Sequence, residues 1–248
     1  MAVRFLAVGD TAFSVEFGRE VDPEINARVR GLNAAVRELR DRGGLRGLIE
    51  TIPSFRALLV HYDPLRTSRA ELEAAIRPLV EEDRRATAEG RLWRLPACYG
   101  GEFGPDLDEV AERVGLSADE VIDLHAGATF TVYMLGFLPG LAYMGGLPEH
   151  LHLPRRENPR TRVPAASVAI AGGLSIVYPW ESPGGWHLLG RTPVRLFDLR
   201  RGEREAVLLA PGDRVRFVPQ ARAEFEAMSG AVAAGEFDAL SLRGEESA

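Results

Sequence analysis

The sequence predicts an α+β N-terminal domain followed by a mainly-β barrel domain, on three observations. Residues 1–90 alternate strand-like segments with two amphipathic helices. From Ala128 onward, short strand-like segments recur between glycine and proline turns, a pattern typical of a closed or nearly closed β-barrel. A charged run at residues 81–85 separates the two patterns. We therefore predict a small domain at residues 1–88, a barrel domain with a helical insertion at 89–230 and a C-terminal tail at 231–248.

The small domain begins with two predicted strands, Val3–Val8 and Ala12–Phe17. A helix follows from Pro23, because apolar residues recur at three- and four-residue spacings until two glycines end it. The remaining elements are strands at Gly47–Ile52 and Arg56–Tyr62, a helix opened by a capping box from Ser68 to Glu71, and a last strand at Arg91–Ala97. This order is typical of a ferredoxin-like sandwich.

Two short helices, Pro105–Val114 and Ser117–His125, precede the barrel strands. Their spacing is that of a helix-turn-helix, but the pair carries seven acidic residues against Arg113 alone, so a nucleic-acid backbone would be repelled. The predicted strands are Ala128–Met134, Ser167–Ala171, Leu174–Tyr178, Trp186–Leu189, Val194–Phe197, Ala206–Leu209 and Arg214–Val218. A helix at Gln220–Met228 and a frayed end at Ser241–Ala248 complete the chain.

The composition narrows the functional classes. A hydrophobic content of 46% over 248 residues predicts a sizeable core, and no apolar run is long enough for a membrane span. Without a secretory signal pattern, we expect a cytoplasmic protein. All 30 basic residues are arginines, which excludes a Schiff-base lysine and a Walker A lysine, and the net charge of −6 argues against a nucleic-acid partner. The single cysteine, Cys98, excludes an intrachain disulfide and is interpreted as a buried thiol.

The segment Asn158–Pro193 combines arginines, glycines, prolines and tryptophans in a way that ordinary core strands do not need. Arginine forks bind carboxylate or phosphate groups, and glycines let the backbone approach a ligand closely. Arg160, Arg162 and Arg191 are therefore the candidate catalytic residues, as contacts to an anionic ligand. The alternative is structural ion pairing with loop carboxylates such as Glu102 and Glu181.

An apolar loop, Gly136–Gly146, lies before this segment and indicates either core or a partner-binding face. The candidate substrate- or partner-binding residues of the loop and the segment are Phe137, Pro139, Tyr143, Ser182, Gly184, Gly185, Trp186 and Thr192. His187 is the best-placed histidine for a site, although a structural role is as compatible with its position. The pair His150 and His152 has no third ligand in view, so we predict no metal site.

Neither a G-x-S-x-G elbow nor a G-x-G-x-x-G turn is present, which removes an α/β-hydrolase nucleophile and a dinucleotide site.

Six segments together resemble the family of KipI and the 5-oxoprolinase B-type subunit, also called the allophanate hydrolase subunit 1 or carboxyltransferase C–D type. They are GDTAFSVEFG, IPSFRALLVHYDP, LPACYGGEFGPDLDEVA, GFLPGLAYMGGL, PRTRVPAASVAIAGG and ESPGGWHLLGRTP, between Phe5 and Val218. The resemblance implies a small α+β domain and a cyclophilin-like β-barrel domain. It does not imply prolyl isomerase activity, because one fold hosts many functions.

For function, the resemblance implies a non-autonomous subunit of 5-oxoprolinase. Members similar to the B-type subunit join A- and C-type subunits to open 5-oxo-L-proline to L-glutamate with hydrolysis of ATP. ATP would be held by or shared with the partner subunits, and arginines would stabilise the transferring charge. Two alternatives remain: a KipI-like inhibitor of a sensor histidine kinase, or the carboxyltransferase half of a biotin-dependent urea carboxylase or allophanate hydrolase-type system.

The sequence departs from the family pattern at three positions. Many relatives read AGGQTGIYP where residues 171–179 have Leu174 and Ile176, which removes a polar side chain that could orient substrate. Ala166 stands where a glycine is usual.

Overall fold

A computed structural model describes residues 3–86, 90–203 and 205–244, and the chain divides into two compact units, Met1–Glu89 and Gly90–Ala248. In the part of the chain that is described, no helix is both long and apolar enough to cross a membrane.

The first unit is a four-stranded antiparallel sheet packed against two helices. The strands are β1 (Arg4–Val8), β2 (Ala12–Glu16), β3 (Leu48–Pro53) and β4 (Ala57–Tyr62), in the order β1-β2-β4-β3. The helices are α1 (Pro23–Asp41) and α2 (Arg69–Glu81). Alternate residues of β2 and β4, such as Phe13, Val15 and Val60, are fully buried against the helices.

Local caps fix where these helices start. Asp22 accepts a hydrogen bond from the backbone of Ile25 at 2.9 Å, with Pro23 in the first turn of α1. The capping box predicted at Ser68 and Glu71 is confirmed, with each side chain bonded to the backbone of the other.

The strand predicted at Arg91–Ala97 does not complete this sheet, so that prediction is wrong. Residues Leu92–Tyr99 form β5, which belongs to the second unit and pairs there with strands His187–Arg191 and Arg214–Pro219. The sheet edge beside β2 is occupied by β1, from the start of the chain rather than its end. The prediction assigned β5 wrongly because a strand pattern does not identify its partner.

The second unit contains the closed barrel that the sequence predicted. Its seven strands run in the order β10-β7-β6-β13-β5-β12-β9. They are β5, β6 (Phe130–Leu135), β7 (Ala142–Gly145), β9 (Ser167–Ala171), β10 (Leu174–Val177), β12 (His187–Arg191) and β13 (Arg214–Pro219). The interior is filled by buried side chains including Trp93, Leu95, Phe130, Met144 and Ile170.

A two-stranded ribbon, β8 (Arg160–Val163) and β11 (Ser182–Gly184), lies outside the barrel order. Apolar side chains of β9, β10 and β12 that do not enter the barrel core pack with Val163 and Trp186 in a separate cluster. The second unit also contains α3 (Leu107–Val114), α4 (Ala118–Gly127) and α5 (Arg222–Ala234).

Two predicted strands are wrong. Residues 194–197 and 206–209 form no strand and share only the isolated bridge between Phe197 and Val207. Conversely, β7 lies inside the segment interpreted as an apolar loop. The pattern misled because short apolar runs bury equally well in loops and in strands.

The chain after residue 230 is more ordered than a tail. Helix α5 continues to Ala234, and Ala239–Leu242 form a 3-10 turn whose Ala239 is buried in the barrel core. Arg243 bridges to Trp93 of β5, while residues 245–248 lie outside the described part of the chain.

Candidate functional site

A cleft of about 680 Å³ opens beside the end of β12, where helix α5 forms part of its wall. We call it the arginine cleft and define it by Trp180, Arg191, Arg195, Phe197, Asp198 and Arg200. Thr192 also lines it, so it brings together two of the residues that the sequence singled out. Its volume falls within the range of about 300–1,000 Å³ that is usual for small-molecule sites.

Arg191 reaches this cleft from the last position of β12. Its Nη2 donates to the carbonyl of Ala165 over 3.0 Å, while its buried Nε has no hydrogen-bond partner among the described residues. A backbone carbonyl carries no formal charge, so this bond orients the guanidinium without neutralising it.

Asp198 supplies the negative charge of the lining. Its side chain accepts the backbone N–H of Arg200 at 3.0 Å and so caps the 3-10 turn Leu199–Arg201. The Arg200 guanidinium beside it lowers the pKa of Asp198 to about 2. Arg195 lies 4.0 Å from the same carboxylate. The lining thus contains three arginines and one carboxylate, an excess of two positive charges.

An aromatic pair forms another wall of the cleft. The rings of Trp180 and Phe197 lie 5.9 Å apart, and Trp180 remains 46% exposed. A tryptophan this accessible beside arginines offers a flat apolar face to a ligand.

Ala166 lies in the wall of the cleft in an unusual backbone conformation. Its φ is +65°, in the left-handed region where a Cβ is disfavoured. The conformation is held by hydrogen bonds from Ala166 N to Tyr178 O and from Thr192 N to Ala166 O, at 2.6 and 3.0 Å. This explains in physical terms why a glycine suits this position.

Arg160 lies outside the arginine cleft and is paired with a buried carboxylate. It donates to Asp106, which also accepts from Arg156 at 3.2 Å and from the backbone N–H of Leu188 at 2.7 Å. The Asp106 side chain is only 3% exposed. These bonds fasten the ribbon strand β8 to the start of α3 and to β12.

Arg162 lies on the surface, also outside the cleft. Its Nε and Nη2 donate to the two oxygens of Glu181 at 2.9 and 2.8 Å. The Arg162 side chain is 77% exposed, and the hydrogen bond to it lowers the pKa of Glu181. The structural ion pair that the sequence left open is thus present between these two residues.

A second, smaller cavity of about 100 Å³ brings together the apolar loop and the ribbon. We call it the aromatic pocket; it is lined by Phe137, Tyr143, Tyr178, Gly184, Gly185 and Trp186. Tyr143 and Trp186 pack at 6.0 Å, and a Cβ on Gly184 would lie 2.2 Å from the Tyr178 hydroxyl, so glycine is required there. Pro139 is exposed, and the buried Ser182 hydroxyl has no hydrogen-bond partner among the described residues; neither lines this pocket.

Phe137 is the most exposed residue of the aromatic pocket. The residue is 67% exposed, and its φ of +69° is rare for an aromatic residue. Strained backbone that presents an apolar side chain to solvent is a feature of binding sites.

A buried polar chain that no sequence pattern indicated lies between α4 and the barrel. The Tyr99 hydroxyl lies 2.8 Å from His125 Nδ1, and His125 Nε2 lies 3.0 Å from the Ser175 hydroxyl. Burial lowers the pKa of His125 to about 3, so the ring is neutral. These residues are 26 and 50 positions apart, which is why no local pattern revealed them.

The other titratable candidates are two histidines, each with one ring nitrogen near a backbone carbonyl, and the buried cysteine. His187 Nε2 lies 2.9 Å from the carbonyl of Pro154, and His152 Nε2 lies 2.9 Å from that of Leu147. Cys98 is buried, and burial raises the pKa of its thiol. No group of three or more His, Cys, Asp or Glu side chains within residues 3–86, 90–203 and 205–244 could hold a metal ion.

The protein therefore belongs to the class that joins an α/β unit to a closed β-barrel unit, here with an arginine-lined cleft. The family described as carboxyltransferase domain, subdomain C and D, matches residues 3–208, and the chain belongs to that family.

Three comparisons relate the chain to known proteins. It is 38% identical over 243 residues to the 5-oxoprolinase B-type subunit of Bacillus subtilis (strain 168), covering 92% of this chain and 98% of that protein. It is 38% identical over 217 residues to the 5-oxoprolinase B-type subunit of Escherichia coli O157:H7, covering 88% and 96%. The crystal structure of TTHA0988 superposes with a TM-score of 0.73 at 39% identity, over 89% of this chain and 40% of the TTHA0988 chain.

Proposed function

We propose that this chain is the B-type subunit of an ATP-dependent 5-oxoprolinase complex. The complex converts 5-oxo-L-proline, ATP and water to L-glutamate, ADP and phosphate. Relatives that carry this name match almost the full length of the chain at 38% identity, which supports the assignment. The use of ATP supports a cytoplasmic location.

The observation that carries the proposal in the structure is the unneutralised Arg191 of the arginine cleft. Both 5-oxoproline and ATP are anions, and opening the lactam develops further negative charge on oxygen. A guanidinium held in place before the reaction stabilises such charge without reorganisation. Arg160 and Arg162 each have a carboxylate partner, so in this proposal they hold the β8–β11 ribbon while Arg191 contacts the anion.

The chain acts with A- and C-type partner subunits in this proposal, and the aromatic pocket with its exposed Phe137 is the face offered to one of them. An exposed aromatic beside a small apolar pocket has the character of an interface anchor. The proposal includes the fold families of the two units. The sheet order supports a ferredoxin-like sandwich with β1 at the edge, and the closed barrel supports a cyclophilin-like unit.

The test is reconstitution. Phosphate release that depends on 5-oxoproline is measured for the chain mixed with its A- and C-type partners and for mixtures that omit each one. We expect turnover only in the full mixture. Equal turnover without this chain would contradict the proposal.

A second candidate function, KipI-like inhibition of a sensor histidine kinase, is favoured by the exposure and strain of Phe137. In that case the isolated chain inhibits autophosphorylation of the kinase. Phe137→Gly then abolishes inhibition without lowering stability, because glycine relieves the positive φ. Leu138→Gly is the control for stability. Leu138 packs against the neighbouring core and has no positive φ, so glycine should lower stability there. Inhibition that survives Phe137→Gly would argue against this face.

The third alternative, a carboxyltransferase half acting with a biotin carrier, has the family description as its support. Carboxyl transfer from a biotinylated carrier protein to urea, catalysed by the chain with its partner subunits, would establish it.

A further inference from the structure

We infer that the arginine cleft is a nucleotide site, in which this chain binds the phosphates of ATP with its arginines and the adenine against Trp180. The inference rests on the proposed function for the identity of the nucleotide, because the proposed complex consumes ATP. The geometry supplies the rest.

The charge of the cleft suits a polyanion better than a single carboxylate. Arg191 is bonded to a backbone carbonyl, and Arg195 is half exposed and 4.0 Å from Asp198. Both guanidinium groups can therefore meet a ligand in addition to Arg200. One carboxylate is satisfied by one arginine fork, whereas a phosphate chain presents several oxygens to several forks.

The whole chain is acidic, with a net charge of −6, so a lining with two excess positive charges is a local reversal of sign. Such a reversal inside a cleft attracts anions and orients them on approach. Because the sequence contains no lysine, arginines are the only permanently charged basic side chains available for phosphate in this chain.

The aromatic wall and the size of the cleft suit the base of a nucleotide. Trp180 is 46% exposed and supported from one side by Phe197, which leaves ring surface for stacking with a base. At about 680 Å³ the cleft is far larger than a single five-membered ring with one carboxylate requires. A nucleotide has both the flat ring and the polyanionic tail that the two walls match.

The test measures binding of ATP to the isolated chain, with calorimetry and tryptophan fluorescence as the two readouts. Trp180 is the exposed member of the three tryptophans, since Trp93 and Trp186 are buried, so stacking on it changes the emission. We expect saturable binding of ATP, weaker binding of adenosine and of inorganic triphosphate alone, and the weakest binding of 5-oxoproline.

Two surface substitutions in the cleft and one outside it make the test specific. Trp180→Ala and Arg195→Gln change accessible side chains and should each weaken ATP binding by about five-fold or more. Arg113→Gln removes a comparably exposed arginine of α3 that does not line the cleft, and should leave affinity unchanged.

Absence of saturable ATP binding by calorimetry would overturn the inference, as would binding that neither cleft substitution weakens. Saturation by 5-oxoproline without competition from ATP would also overturn it, by identifying the carboxylate as the ligand. If the reconstituted complex turns over while this chain binds no ATP, the nucleotide inference fails and the proposed function stands. If ATP binds and the complete mixture is inactive, the proposed function fails instead.

Discussion

Arg200 donates from both Nε and Nη2 to the carboxylate of Asp198, at distances of 3.0 and 2.6 Å. Because Arg200 already pairs with this carboxylate through two nitrogens, Asp198 contributes little to neutralising Arg191 in the same cleft. The short 3-10 turn that Asp198 caps thus keeps the cleft positive as well as shaping it.

The two arginine–carboxylate pairs of the ribbon should differ sharply in their contribution to stability. Asp106→Asn removes the charge that Arg156 and Arg160 face at a buried position, so we expect a loss of about 3 kcal/mol or more in the free energy of unfolding. Glu181→Gln breaks an exposed pair and should cost less than about 1 kcal/mol. Urea unfolding of both variants measures the difference, and equal losses would show that the Asp106 cluster does not fasten the ribbon.

Ala166→Gly should stabilise the protein. At a φ of +65° the Cβ of alanine is strained, and its removal should raise the free energy of unfolding by about 0.5–1 kcal/mol despite the extra entropy of the unfolded chain. Ala165→Gly is the neighbouring control, because Ala165 has no positive φ and its replacement should be destabilising. Thermal unfolding should show a higher melting temperature for Ala166→Gly and a lower one for Ala165→Gly than for the wild type. A lower melting temperature in both variants would show that the Ala166 backbone is not strained.

His125 should make stability depend on pH. Its pKa is lowered by burial from 6.5 to about 3, so between those values the unfolded chain binds a proton that the folded chain does not, and stability falls as the pH falls. Between pH 7 and pH 5 the wild type should lose about 2 kcal/mol more than His125→Gln, which cannot titrate. Urea unfolding at both pH values measures this, and equal losses would mean that the ring is protonated in the folded state.

The sequence predicted those features that depend on neighbouring residues. The capping box of α2, the first helix and a barrel built of short strands follow from local spacing and turn chemistry. Partnerships across the chain did not follow. The attachment of Arg160 to Asp106 spans 54 positions, and β5 joins β13 rather than the sheet of the first unit. Charge alone made Arg160, Arg162 and Arg191 equivalent candidates, whereas their partners in the fold distinguish them.

The arginine cleft itself was only partly predictable. Trp180, Arg191 and Thr192 belong to the segment that the sequence singled out, but Arg195, Asp198 and Arg200 lie beyond its end. Local propensity carries no information on which loops meet at the end of a strand, because burial and packing decide this.

The measurement that tests the central claim most directly is 5-oxoproline-dependent phosphate release by the complex reconstituted with wild-type chain, Arg191→Gln or Arg113→Gln. Removing a positioned charge donor from a catalytic site costs about 100-fold in rate, so we expect Arg191→Gln to lower turnover by about that factor. The Arg113→Gln complex should match the wild type, and the melting temperatures should confirm that all three chains are folded. Full turnover with folded Arg191→Gln would contradict the account of the arginine cleft, and no turnover with the wild type and both partners would contradict the proposed function.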